Sequence, residues 1–378
     1  MKVTLIATAK FGLETVVKQE VQALGFEEIV VSDGRIEFQA TLTDIPKANL
    51  WLRCADRVLL KIAEFPAHTF DDLFEQTTAL PWEDWIMQDG KFTVNAKSHK
   101  SVLKSARSCQ SIVKKAVVER LRTAYQLDWF PETGAEFTIQ LALVRNSALL
   151  TLDTSGIGLH KRGYRADAGE APLKETFAAG LVKLSYWQPD RLLLDPMCGS
   201  GTILIEAAMM GRNIAPGLQR SFAAEGWPTI PAEAWAQARQ EAQNAILPSG
   251  NLQLQGSDSD LASIEIAKSN AAKAGVADDI HFQVKDVRKL WIDQQFGIVI
   301  TNPPYGIRLA EYRELNSIYI ALNKMFRKKD GWSIYILTAD KKFPDYFKRA
   351  KPNRVRKLYN GTIQTNYYQY YGRKPPKS

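Results

Sequence analysis

Four consecutive residues, Asn302-Pro303-Pro304-Tyr305, bring together groups that could do chemistry. The Asn302 side chain offers an amide oxygen, and Pro303 offers a carbonyl whose direction the second proline fixes. Tyr305 offers a flat ring. Such a set suits a planar ring carrying an exocyclic amino group, because two amino hydrogens need two acceptors. Ile298-Val-Ile-Thr301, just before it, is β-branched throughout and reads as a short buried strand that the prolines stop. At the carboxyl end of a strand in an open α/β sheet, these residues would stand where ligands bind. A plain strand-to-loop exit opened by Asn-Pro would use the same residues, so other parts of the chain must decide.

The first of those parts is Asp195-Pro196-Met197-Cys198-Gly199-Ser200-Gly201-Thr202. It follows a buried strand over Arg191–Asp195 and opens a helix over Ile203–Met210. Gly199 and Gly201 lack a Cβ and let a cofactor approach the backbone. A dinucleotide fingerprint would place a small residue where Leu204 stands. Asp195 would repel a phosphate and attract a cationic or amino group. S-adenosyl-L-methionine, with its ammonium and sulfonium, meets that description; a glycine turn used only for packing is the alternative. The next strand, Leu252–Gly256, leads to Asp258, placed to take the hydroxyls of a ribose, while Asp260 reads as a helix N-cap. A third strand, Ile280–Val284, leads to Asp286, near where an adenine amino group would sit. Glycine turn, Asp258, Asp286 and Asn302 thus fall at the ends of four successive strands, and that order carries more weight than any one motif.

The elements upstream are of another kind. Strand and helix patterns alternate over the first 65 residues in the order β-α-β-β-α-β, with Asp33-Gly34 marking a hairpin. This suggests a ferredoxin-like module over residues 1–65. A second α/β module follows over 66–155: helices over Phe70–Leu80 and Pro81–Met87, a strand from Lys91, a long amphipathic helix over Ser105–Tyr125 and two strands to Leu152. A glycine-bearing linker over 156–175 then leads to the longer α/β alternation of 176–378, which Gly211–Gly250 interrupts as an insertion.

Charge and cysteine content bound the partners. The net charge of +8 is unevenly placed. Nine basic residues and one acid lie between Lys91 and Arg122, and fifteen basic residues against three acids follow from Lys324. Clustering of that sign is the footprint of a polyanion. Lys97, Lys100, Lys104, Arg107 and Lys114, with Lys161, Arg162 and Arg165 of the linker, are the candidate RNA contacts. An ordinary solvated helix face would carry charge too. The three cysteines are far apart and the four histidines scattered, so neither disulfide nor metal chemistry is expected, and a reducing, cytoplasmic setting is. No signal peptide or membrane span is expected.

Taken together, DPMCGSGT, GSD, KD and NPPYG resemble a class I S-adenosylmethionine-dependent methyltransferase that acts on amino groups. With LHKRGYR, APLKE and NIAPG, the whole chain is similar to the THUMP-containing RNA guanine-N2 methyltransferases of the RlmL-like 23S ribosomal RNA group. The resemblance implies a Rossmann-like catalytic domain preceded by a ferredoxin-like module and a THUMP domain. It also implies S-adenosyl-L-methionine as cofactor, ribosomal RNA as partner and methylation at an exocyclic N2. Some members carry a second methyltransferase domain, whereas one is legible here. A transfer-RNA guanine-N2 enzyme, an adenine-N6 or protein-glutamine methyltransferase and a non-catalytic RNA-binding assembly factor are the rival readings.

Overall fold

The computed structural model describes residues 1–165, 173–305, 309–349 and 351–374. Pro172 and Gly306 of the motifs above lie outside the described residues. The chain forms two units. One comprises Met1–Ala9, Lys18–Leu159 and Ser221–Gln240; the other comprises Lys10–Val17, His160–Arg220 and Glu241–Ser378.

The first unit opens with β1 (Lys2–Thr8), α1 (Glu14–Ala23), β2 (Glu27–Ser32), β3 (Arg35–Thr41), α2 (Ile45–Trp51) and β4 (Arg57–Pro66), the order expected of the N-terminal residues. Gly34 takes a φ of +73° in the β2–β3 turn, a conformation open to glycine at no steric cost. Then come α3 (Phe70–Thr78), β5 (Lys91–His99), α4 (Ala106–Tyr125), β6 (Glu136–Val144) and β7 (Ser147–Asp153). The helix expected over Pro81–Met87 is a single 3-10 turn, Trp82–Asp84. Trp82 is fully buried there and its indole donates to the Thr77 carbonyl at 2.8 Å, so tertiary packing overrides the local pattern. All seven strands make one sheet in the order β2-β3-β1-β4-β7-β6-β5. The two expected modules therefore share a hydrogen-bonded sheet, joined where β4 pairs antiparallel with β7 from Leu59↔Asp153 to Pro66↔Ser147.

Residues 221–240 sit within the second unit's sequence yet pack in the first. The Trp227 ring stacks on Phe137 with centroids 5.0 Å apart, and its indole donates to the Glu136 carbonyl at 3.1 Å. Ala224 N–H donates to the Thr154 carbonyl at 3.1 Å. α7 (Ala232–Asn244) starts in this segment and leaves the first unit after Gln240.

The second unit is built from α5 (Glu175–Leu184), β8 (Leu193–Asp195), α6 (Thr202–Gly211), β9 (Leu254–Asp258), α8 (Leu261–Lys273), β10 (Ile280–Val284), β11 (Phe296–Thr301), α9 (Leu309–Phe326), β12 (Gly331–Thr338), α10 (Phe343–Tyr346), β13 (Arg354–Asn360) and β14 (Ile363–Tyr370). Its sheet order is β10-β9-β8-β11-β12-β14-β13. The strands from β8 to β12 run parallel, and β14 runs antiparallel between β12 and β13. One face packs Leu192, Val299, Ile334 and Ile336 against Leu315, Leu322 and Phe326 of α9. β12 is buried along its whole length. The stretch after Lys324, conspicuous in sequence for its charge, thus contains three strands of this sheet, two of which feed its core. Among the described residues no helix is long and apolar enough to cross a membrane.

Candidate active site

Parallel strands bring their carboxyl ends to one edge, and β10, β9, β8 and β11 lie side by side there. β8 ends at Asp195, β9 at Asp258 and β11 at Thr301, while Asp286 follows two residues after β10. The strand carrying Asp258 is Leu254–Asp258, two residues later than its pattern suggests, so the carboxylate sits at the strand's own end.

The glycine turn is held from both sides. Cys198 N–H donates to the Ser257 carbonyl at 2.9 Å, Gly199 N–H to Asp258 Oδ2 at 2.9 Å, and Asn270 Nδ2 to the Ser200 carbonyl at 3.2 Å. The two glycines do different work. Gly201, at φ +78°, has Phe282 and Ala267 where a Cβ would point, at 3.0 and 3.1 Å. Gly199, at φ +50°, has no atom within 4 Å of that position, so its face is open for a ligand. Pro196 accepts from Ser257 Oγ at 3.4 Å, Met197 packs against the core, and Ser200 and Thr202 hydroxyls lie 3.2 Å apart. Cys198 is buried, and burial pushes its thiol up.

Asp195 is buried at 2% exposure and accepts from Thr301 Oγ1 at 2.8 Å and Met197 N–H at 3.3 Å. Burial pushes its carboxyl up to about 7, with the Asp258 charge adding to the rise and the two hydrogen bonds opposing it. A buried carboxylate of this kind gains most from a cation at its side. Asp258 keeps lone pairs to spare although it accepts from Gly199 and, at 3.1 Å, from Asp260 N–H. Asp260 caps α8 as expected, accepting from Ala262 and Ser263 N–H. Asp286 caps the turn after β10 and is gripped by the Arg288 guanidinium, which holds its carboxyl below the usual range.

The Thr301–Asp195 bond ties the strand delivering Asn302 to the strand delivering the glycine turn. Asn302 Oδ1 is buried and has no hydrogen-bond partner among the described residues. Pro303 is buried and Pro304 exposed. Burial raises the Tyr305 hydroxyl, against hydrogen bonds from Asn360 and Asn302. With the Asn302 amide turned toward Tyr305, its oxygen is the end left over. Asn360, whose Nδ2 donates to Tyr305 Oη at 3.0 Å, is the last residue of β13, at the β13–β14 hairpin, and is a site residue that the sequence reading missed. Asn360-Gly361 is a hairpin signal that could have pointed to the turn, though not to its contact with Tyr305.

The basic residues sort into two classes. In the first unit Lys97, Lys100, Lys104, Arg107 and Lys114 are exposed and none has an ion-pair partner among the described residues. Their neighbours are neutralised: Lys91 by Glu136, Arg120 by Glu83 and Arg122 by Asp128. In the second unit Lys161 is exposed, but Arg162 corrects the expectation. It is 2% exposed and paired with Glu206 of α6 at 3.3 Å, so it holds the fold and has no surface to offer RNA. Arg165 is also turned inward. It donates to Thr202 Oγ1 at 2.8 Å and the Leu173 carbonyl at 3.0 Å, and it pairs with Glu175 at 3.4 Å. Its role in this geometry is to brace α5 against the glycine turn.

Comparison with known proteins places this geometry among relatives. Residues 162–369 match the RMKL-like methyltransferase domain, residues 4–59 the RlmL ferredoxin-like domain and residues 67–153 the THUMP domain. The chain is 47% identical over its full length to YpsC of Bacillus subtilis (strain 168), a protein provisionally named an RNA methyltransferase, covering 98% of it. It is 36% identical over 95% of its length to the ribosomal RNA large subunit methyltransferase K/L of Psychromonas ingrahamii, and spans 49% of that longer protein. Among solved structures, a Listeria monocytogenes protein described as a predicted N6-adenine-specific DNA methylase superposes with a TM-score of 0.93 at 45% identity, covering 99% of this chain and 97% of that one. SMU.472, provisionally named a methyltransferase and solved with SAH, superposes at 0.93 with 40% identity and 99% coverage of both chains.

Proposed function

The chain belongs to the RMKL-like methyltransferase family, and from that premise we propose that it methylates the exocyclic N2 of a guanosine in large-subunit ribosomal RNA. The observation that carries this reading is Asn302 Oδ1, a buried acceptor with no partner among the described residues, at the end of the strand bonded to the glycine turn's own strand. A buried polar atom left unmade costs free energy unless a ligand completes it.

S-adenosyl-L-methionine is the cofactor, and when bound it supplies an electrophilic methyl on a sulfonium. The residues present fit it: the open face at Gly199, the buried Asp195 carboxyl that favours a cationic neighbour, and Asp258 with acceptor capacity for ribose hydroxyls. Asp286, with Arg288 orienting it, is the group that would receive an adenine amino hydrogen. On the substrate side, the guanine amino lone pair is delocalised into the ring and is a weak nucleophile. Asn302 Oδ1 and the Pro303 carbonyl accept the two amino hydrogens, turn the lone pair out of conjugation and offset the positive charge that develops on nitrogen. Pro304 holds the direction of that carbonyl. Tyr305, its hydroxyl pinned by Asn360, offers its ring to an unpaired or flipped-out base. The methylated amine loses its proton readily, so no strong base is required.

RNA as the substrate is supported by the THUMP domain, by the names of the relatives and by the cations from β5 to α4 that have no ion-pair partner among the described residues. The Listeria protein's description favours a second reading, adenine N6, because two acceptors and a ring suit either amine. A methyl-transfer trial with unmodified large-subunit RNA, transfer RNA, DNA and protein as acceptors separates these. Label in large-subunit RNA is the expected result, and label confined to DNA or protein would overturn it.

A further inference from the structure

The active edge continues past β11 onto a hairpin that the chemistry above uses only through Asn360. β14 pairs with β12 as far as Thr338↔Asn366, and Asn366 pairs in turn with Lys357 of β13. Lys357 is therefore level with the carboxyl end of β12, and Leu358, Tyr359 and Asn360 reach beyond it at the edge where Asn302 and Tyr305 leave β11. The 3.0 Å hydrogen bond from Asn360 Nδ2 to Tyr305 Oη ties this overhang directly to the site.

A short segment from far upstream in sequence runs beside the hairpin in the same unit. Lys10–Val17 packs with the second unit although its neighbours on either side belong to the first. Leu13 is completely buried, and a Cβ on Gly180 of α5 would meet its Cδ1 at 2.7 Å. Gly12, at φ +89°, is as close to β13: a Cβ there would meet Leu358 Cδ2 at 2.7 Å and the Lys357 carbonyl at 3.1 Å. Leu13 N–H donates to the Lys10 carbonyl at 2.9 Å and Gly12 N–H to Glu14 Oε2 at 2.7 Å, which closes the turn. Lys10 Nζ lies 4.8 Å from the centre of the Phe177 ring of α5. Packing this close on both sides fixes where Phe11 stands. Its ring is 57% exposed and meets Tyr359 edge-on, with centroids 5.8 Å apart and an interplanar angle of 80°. An edge-on contact supports a ring without covering both of its faces. The Lys357 ammonium lies 5.7 Å from the centre of the Tyr359 ring; it is exposed and has no ion-pair partner among the described residues.

Single exposed apolar side chains are ordinary and need no function. Here two rings and a cation are held together one residue away from the side chain that pins Tyr305. Stacking on aromatic rings and contact with a phosphate are the two means by which proteins take a single strand whatever its sequence. A guanosine delivered unpaired to Tyr305 brings its neighbours in the strand to the rim of the site. We propose that Phe11, Tyr359 and Lys357 form a subsite for the nucleotide next to the target guanosine, the rings stacking its base and the ammonium meeting its phosphate. The subsite rests on the reading of Asn302–Tyr305 as the seat of an unpaired RNA guanine, but binding and not methyl transfer is what tests it.

The probe is a uridine hexamer carrying one central guanosine, made in two versions with fluorescent 2-aminopurine on the 5′ or the 3′ side of that guanosine. Each version is titrated, with SAH present, into the full chain and into Phe11→Ala, Phe11→Tyr and Lys357→Ala. The unaltered chain is expected to quench one version on binding, as stacking does. Phe11→Ala should lose that quenching and bind the same version about fivefold or more weakly, the low end for one lost base stack. Phe11→Tyr should keep both. Lys357→Ala should retain the quenching at saturation and make the slope of log K against log salt shallower by about 0.7, the loss of one phosphate contact on a single strand. Unchanged SAH affinity in every variant separates a lost contact from a lost fold. No quenching of either version by the unaltered chain would overturn the subsite. Equal quenching by Phe11→Ala would overturn it too, and would leave the proposed function standing if methylation at N2 persists. Quenching that Phe11→Ala abolishes, in a chain that methylates no RNA, would instead sink the proposed function and leave the rings as a contact for single-stranded RNA.

Discussion

Between about pH 4 and 7, Asp195 binds a proton more readily in the folded chain than in the unfolded one. Its carboxyl titrates at about 7 against an ordinary 3.8, chiefly because burial disfavours the charge. Between those values the folded state binds more protons than the unfolded one, so this group lowers stability as pH rises through the window and costs no more above it. A cationic ligand beside it favours the ionised form. Cofactor affinity is therefore predicted to rise as pH is raised from 6 to 8, and Asp195→Asn to weaken binding and flatten that dependence. Calorimetric titration with S-adenosyl-L-methionine across the range is the check; a wild-type affinity that does not change with pH contradicts the role given to Asp195. Residue types alone pointed to Asp195, Asp258 and Asn302, because their chemistry and their places after strand patterns agree. They could not distinguish Arg162 from Lys161. Two basic neighbours look alike in sequence, and only Glu206, 44 residues on, decides that one is buried.

At the scale of elements, α4 shows how a helix can be amphipathic and still carry a directed charge. Cys109, Val113, Ala116, Val117 and Leu121 are its buried side. Its last turns are neutralised by Glu83 and Asp128, which leaves cations without an ion-pair partner among the described residues near its start and at the end of β5. Lys104→Ala with Arg107→Ala is predicted to weaken RNA binding several-fold at low salt and to lower the salt slope by between one and two. Filter binding from 50 to 300 mM salt reads this, and an unchanged slope would remove the start of α4 and the turn before it from the RNA contact. The charge run was legible in sequence, but its pairing was not, since Glu83 and Asp128 lie outside the segment. β12 was hidden for a related reason. Its residues Gly331–Thr338 are buried on both faces, as in a central strand, and basic stretches flank them on either side.

For the whole molecule, sequence order and structural membership part company at residues 221–240. The pattern there reads only as a Gly-, Pro- and Trp-bearing insertion, because nothing local states which core a tryptophan will join. Trp227, 2% exposed, stacks on Phe137 and belongs to the first unit. Trp227→Ala is predicted to destabilise that unit by about 3–5 kcal/mol, the range for emptying a large aromatic site. Hydrogen exchange should show the loss across β6 and β7; a loss confined to β8–β12 would contradict the assignment. The continuous sheet of the first unit was likewise not legible, since pairing of β4 with β7 joins residues almost ninety positions apart.

Methyl transfer by Asn302→Ala, measured beside its cofactor affinity, reports most directly on whether a planar amine is gripped at the carboxyl edge of β11. With unmodified large-subunit RNA as acceptor, the account predicts turnover lower by 100-fold or more, on the order expected for one lost contact to developing charge. Binding of S-adenosyl-L-methionine should be nearly unchanged, and nucleoside mass analysis of the wild-type product should show N2-methylguanosine. Full turnover in the variant, or a methyl group found elsewhere than on an exocyclic amine, would contradict it.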